Sequence, residues 1–172
     1  MDNPVKDIPI VVNNIFANPD KSALEKEVKR SYIPNFEYHH SLLDVSPKPG
    51  SREKVIRLFK FFRGCFWSNK LQINEINFNE ESGRMFLDVT QHLQLLFLPW
   101  IIAPVRVVVE YYFKRNDEGK YFICRQDDFI EPEVLMSLFI PYFGPLTIRT
   151  AKSVTASFSE FVGSIFDLIG WS

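Results

Sequence analysis

From Arg84 to Phe97 the chain alternates. The odd positions are Met85, Leu87, Val89, Gln91, Leu93, Leu95 and Phe97, and the even ones include Asp88, Thr90, His92 and Gln94. Side chains of a strand point to opposite faces in turn, so this segment is a long strand with one apolar and one mostly polar face. That pattern belongs to antiparallel sheet covered on one side. Its neighbours extend the sheet. Leu71 to Phe78, the turn Asn79–Gly83 and Arg84 to Leu98 form one hairpin. Val105 to Lys114, the turn Asn116–Gly119 and Lys120 to Ile130 form a second. Val, Tyr and Phe are dense in both, as strands prefer.

The first third reads as helix. Pro4 to Phe16 sets Val5, Ile8, Val12 and Phe16 at helical spacing, with Pro9 tolerable near a helix start or break. After the turn Asn18-Pro19-Asp20, Lys21 to Tyr32 forms a second helix that stops before Pro34. Asn35 to Leu43 alternates loosely, as a short strand would. Ser51 is a plausible N-cap for a third helix, Arg52 to Trp67. Val55, Leu58, Phe59, Phe62, Cys65 and Phe66 share its apolar face, opposite Arg57, Lys60 and Arg63. Helices followed by a bent antiparallel sheet give an α+β fold.

The end of the chain is different. Residues 151–172 set Val154, Phe158, Phe161, Ile165 and Leu168 at steps of three and four, against a face of Ser, Thr and Gly with few charges. Helices of that kind sense loosely packed lipid; the alternative is a terminal helix docked on its own domain. Two connections, Leu98 to Pro104 and Phe139 to Leu146, are almost free of polar residues, unlike ordinary surface loops. Together they suggest a lipid-facing surface made of Trp100, Ile101, Ile102, Phe139, Tyr142, Phe143, Phe158, Phe161, Ile165 and Leu168.

Composition narrows the partners. Hydrophobic residues make up 46% of the 172, with seventeen Phe, so the chain has a large aromatic core or exposes apolar surface. A net charge of −1 argues against nucleic acid, which requires a basic excess. Cys65 and Cys124 are far apart, with no Cys or His close by in sequence, and read as buried thiols of a reducing compartment. The N-terminal stretch lacks the basic start and apolar run of a signal peptide, which suggests a cytosol-facing protein. No apolar run is long enough to span a bilayer.

Several phrases carry a resemblance: Asn3-Pro4-Val5-Lys6-Asp7-Ile8-Pro9, Pro34 to His40, Pro49-Gly50-Ser51-Arg52, Leu98-Pro99-Trp100 with Ala103-Pro104-Val105, and Gly119-Lys120-Tyr121 with Gln126-Asp127-Asp128. Over roughly Asn3 to Ile130 the chain resembles the fungal SigF-like proteins of the nuclear-transport-factor-2-like superfamily. The resemblance implies a cone, a strongly bent sheet wrapped around helices with a pocket at its wide end. It divides the chain into a cone domain, 1–131, and an apolar extension, 132–172. The superfamily includes ketosteroid isomerase, scytalone dehydratase, polyketide cyclases and non-catalytic binding domains, so the fold leaves activity open. His40 resembles the family's recurring histidine near the first strand, and Asp127 or Asp128 the polar end of the last.

Candidate chemistry follows from these positions. As an enzyme, the chain would use His40 as general base, Asp128 or Asp127 to orient it, and Tyr38 or Tyr111 to donate to an oxyanion. His92, Asp88 and Glu110 invite a metal, but cross-strand pairing explains them more simply, and neither metal nor cofactor is expected. An inner surface of apolar side chains, with Gln91, Tyr111, Phe62 and Phe59 among its lining, suits an apolar small molecule or acyl chain. Three functions compete. The first is a lipid- or apolar-ligand-binding domain, cytoplasmic and peripheral on a membrane or lipid droplet. The second is a cofactor-free isomerase, dehydratase or cyclase. The third is a homodimeric scaffold using the polar strand face.

Overall fold

The computed structural model describes residues 1–95, 102–131, 134 and 143–168. The chain divides into two compact units, Met1–Ile130 and Glu131–Ser172.

In the first unit, α1 spans Pro4–Phe16. The Asn3 side chain caps it, accepting from the Lys6 N–H at 3.1 Å, and Pro4 takes the first helical position, where a missing N–H costs nothing. Its stripe of Ile8, Val11, Val12 and Ile15 is fully buried. Helix α2, Lys21–Ser31, begins at Asp20, whose carboxylate accepts from the Ser22 N–H at 2.8 Å. Strands β1 (Tyr32–His40) and β2 (Leu43–Val45) follow, then α3, Ser51–Gly64. Two expectations for α3 are corrected. Gly50, at φ +83°, occupies the N-cap, and Ser51 instead donates its hydroxyl to the Pro34 carbonyl at 3.5 Å. The helix also ends before Trp67, because Phe66 opens β3 and pairs with Leu95.

Four strands complete the unit: β3 (Phe66–Asn79), β4 (Arg84–Leu95), β5 (Ile102–Arg115) and β6 (Tyr121–Ile130). The curved, open six-stranded sheet runs β2-β1-β6-β5-β4-β3. All neighbours are antiparallel except β1 and β6, which are parallel, a departure from the wholly antiparallel expectation. Most of the domain separates those two strands, so no tight turn fixes their relative direction. Ile102, Ala103 and Pro104, expected in a loop, belong to β5. Pro104 pairs with His92 and lies beyond Val107, where the described pairing of β5 with β6 ends.

The sheet has an inner face, which α1 and α3 cover, and an outer one. Met85, Leu87 and Val89 of β4 and Val105, Val107, Val109 and Tyr111 of β5 are buried inward. On β6 the pairing slips at Cys124, where Tyr112 faces Arg125 and Phe113 faces Ile123. This bulge lets both Ile123 and Gln126 turn inward, since it adds one residue to the two-residue period. Phe59 of α3 fills the centre, its ring 5.3 Å from Tyr38 and 5.2 Å from Phe16.

The second unit carries α4, Phe143–Leu168. It starts earlier than the periodicity suggested, and its first turn contains Pro145, which a first turn tolerates.

Candidate functional site

The inner face is mostly apolar, and apart from Gln91 of β4 and the Tyr111 hydroxyl of β5 its polar groups gather on β1 and β6. There the parallel register sets Tyr38 beside Gln126 and His40 beside Asp128. Val109 of β5 flanks Asp128 on the other side. Asp128 is partly accessible and holds two charge-assisted hydrogen bonds. The Tyr38 hydroxyl donates to Oδ2 at 2.7 Å, and the Gln126 amide donates to Oδ1 at 2.8 Å. Gln126 is buried, and its Oε1 accepts from the Tyr32 hydroxyl at 3.1 Å. Burial pushes the Asp128 carboxyl up to about 6; the Gln126 and Tyr38 bonds hold it down, and the Asp127 charge adds to the rise. Burial and the Asp128 charge push the Tyr38 phenol well up, so it remains a donor.

His40 is half-buried. Its Nδ1 accepts from the Leu42 N–H at 3.1 Å, so the neutral ring carries its proton on Nε2. Burial lowers its pKa. The ring lies 5.4 Å from Phe62 and 6.2 Å from Tyr38. Among the described residues no hydrogen bond joins His40 to Asp128, although they are register partners on one face.

Asp127 is elsewhere. It faces outward, where Arg125 grips it with bonds of 2.7 to 3.1 Å. Its register partner His39 is likewise outward, between Glu37 at 2.9 Å and Asp44 at 2.7 Å. Of the two aspartates left open by the sequence, the strand period therefore places Asp128 with His40 and Tyr38. Phe59 and Tyr111 are fully buried, while Phe62 and Gln91 are half-buried. Asp88 is held by Arg106 and Asn74, and Glu110 by Arg84, as cross-strand pairs.

Two residues of the network, Gln126 and Tyr32, were not singled out from the sequence. Gln126 has a weak signal, a polar residue two positions before Asp128 and hence on its face.

Several residues of the expected lipid-facing surface, Trp100, Ile101, Phe139 and Tyr142, lie outside the described residues. Ile102 is 63% exposed on β5. Phe143 is the first residue of α4. Along α4, Phe158 and Phe161 are 65% and 64% exposed, and Ile165 and Leu168 are exposed as well. Thr150, Ser159 and Ser164 each return a hydroxyl hydrogen bond to a carbonyl of the preceding turn, which quiets their polarity. Among the described residues no helix is long and apolar enough to cross a membrane.

Solved structures resemble this architecture. One is a SnoaL-like polyketide cyclase, so named provisionally, from Jannaschia sp. CCS1, with 12% identity and a TM-score of 0.61 over 80% of this chain and 91% of that one. Another is an NTF2-like protein of unknown function from Burkholderia pseudomallei K96243, with 11% identity and a TM-score of 0.62 over 81% and 99%. A third, AclR from Streptomyces galilaeus, named as a provisional hydroxylase, has 15% identity and a TM-score of 0.56 over 91% and 96%. At these identities the likeness is one of fold. No curated protein matches. The model of the SigF NTF2-like domain matches residues 1–171, and the chain belongs to that family.

Proposed function

We propose that the inner face binds a small, largely apolar molecule whose one polar end meets Asp128, Tyr38 and His40, and that α4 brings the protein to a lipid surface. A single observation carries the first half: a mostly apolar inner face ends in a carboxyl, a phenol and a neutral imidazole. Sparse polar groups in apolar surroundings orient a ligand whose affinity comes from burial. Native mass spectrometry of freshly purified protein tests this. A co-purified apolar molecule, retained by the wild type and lost from Asp128→Asn, supports the reading. Protein free of any such mass, with or without added apolar compounds, removes it.

The exposed apolar stripe of α4 supports the second half. Each large side chain moved from water into lipid contributes about 1.5–3 kcal/mol, which outweighs the few charges on the helix. Flotation with liposomes should therefore respond to loose lipid packing more than to salt, and Phe158→Glu/Ile165→Glu should abolish it. A wild type that never floats ends this half.

The altered acidity of Asp128 favours a catalytic variant of the same site. A carboxylate of pKa about 6 can take a proton from carbon while the His40 Nε2–H stabilises the oxygen of the resulting enolate. Deuterium uptake beside the carbonyl of 1-tetralone in D2O, faster than in buffer and lost in Asp128→Asn, is the signature. Uptake at the buffer rate leaves binding alone.

A further inference from the structure

The hydrogen-bond directions at the inner site restrict what its ligand can be. This inference rests on the small-molecule reading above. The chain of donors begins at Tyr32, whose hydroxyl donates to Gln126 Oε1 at 3.1 Å. The Asp128 carboxylate fixes the amide, because an ionised carboxylate only accepts: Nε2 faces it and donates to Oδ1 at 2.8 Å, which leaves Oε1 for the Tyr32 hydroxyl. A flipped amide would set its oxygen against the carboxylate, acceptor to acceptor. Tyr38 donates to Oδ2 at 2.7 Å. A carboxylate has about four lone-pair positions, and these bonds use two. Asp128 is thereby held as an acceptor with capacity to spare, partly open to solvent. Its register partner His40 is the reverse. Nδ1 is taken by the Leu42 N–H, and the Nε2–H has no partner among the described residues. Adjacent strands lie about 4.8 Å apart, so the two groups can each meet one of two oxygens a few bonds apart on a single ligand.

We propose that the site selects an apolar molecule bearing a hydroxyl near a second oxygen, the hydroxyl donating to the Asp128 carboxylate and the second oxygen accepting from His40 Nε2. Gln126 is the positioning residue: it touches no ligand and sets the direction of the bond that does. A carboxylic acid or phosphate would bring its charge against Asp128 and is rejected. The acid's elevated pKa, due chiefly to burial, agrees, since a largely desolvated carboxylate gains from one more donor. The groups around Asp128 are Tyr32, Tyr38 and His40 on β1, Gln126 on β6 and Val109 and Tyr111 on β5, with the Asp127 charge acting from the outer face.

Four compounds of one frame test this by calorimetry at pH 8: 7-hydroxy-1-tetralone, 7-methoxy-1-tetralone, 5,6,7,8-tetrahydro-2-naphthol and tetralin. The hydroxy ketone should bind about tenfold or more tighter than its methyl ether, the size expected for a hydrogen bond to a charged group. Asp128→Asn should shrink that preference, and His40→Phe should remove the preference for the ketone over the naphthol. Gln126→Leu should weaken the hydroxyl preference while tetralin affinity stays within about twofold, a separation that a general loss of structure would not give. Equal binding of all four overturns this inference and leaves the apolar site standing. No binding of any overturns both. Circular dichroism confirms folding of each variant, and the wild-type series decides the matter even where a variant fails to fold.

Discussion

Replacing Asp128 by Asn should stabilise the protein at neutral pH and change little in acid. In the folded chain the carboxyl is raised from an ordinary 3.8 to about 6, chiefly by burial. Folding therefore favours the protonated form. Between those two values the native state binds more protons than the unfolded one, so Asp128 makes stability fall as pH rises. At about 1.4 kcal/mol for each pH unit, the whole window is worth about 3 kcal/mol. Water reaches part of the side chain, so this is the upper end. Asn keeps the two bonds: its oxygen accepts from Gln126, and its NH2 donates to the Tyr38 hydroxyl. Urea unfolding of wild type and Asp128→Asn from pH 4 to pH 8 measures the difference directly. It should be near zero at pH 4 and grow to about 2–3 kcal/mol in favour of Asn by pH 7–8. A difference that is flat with pH, or a variant weaker than wild type at pH 8, refutes the burial of a charged carboxylate at this site.

The adjacent histidines should titrate in opposite directions in NMR spectra. His39, bonded to Glu37 and Asp44, should have its midpoint above 6.5, and His40, held neutral by burial, below it. His39 accordingly adds stability that is present below 6.5 and lost as pH rises through its folded value, whereas His40 subtracts stability as pH falls below 6.5. Gly83→Ala should cost about 1–3 kcal/mol in urea unfolding, because φ is +63° and the added Cβ would lie 3.0 Å from the Phe113 carbonyl oxygen. Phe59→Ala, which empties the centre between Tyr38 and Phe16, should cost about 3–5 kcal/mol by the same assay.

The strands of the middle were legible because their information is local. The odd residues of β4 face inward as their alternation required, and Gln91 falls on that face with Val89 and Leu93. The partnership of β1 with β6 was not legible, since nothing near either strand encodes a neighbour so distant in sequence. The choice between Asp127 and Asp128 turned on the bulge at Cys124, which exchanges inner and outer positions for the rest of β6 and leaves no mark on the sequence. Ser51 looked like a cap by its chemistry, yet the left-handed backbone of Gly50 decided the start of α3. The amphipathic stripe of α4 was plain, but the roughly two turns before residue 151 were hidden behind Gly144 and Pro145, which usually break helices.

The claim that the inner face is a ligand site is tested most directly by mapping backbone amide shifts of 15N-labelled protein titrated with 1-tetralone. The expected result is a saturable set of shifts at Tyr38, His40, Phe62, Val109 and Gln126 to Asp128, reduced in His40→Phe, which removes the donor to the ketone oxygen. Shifts confined to residues of α4, or none at a saturating concentration, would contradict it.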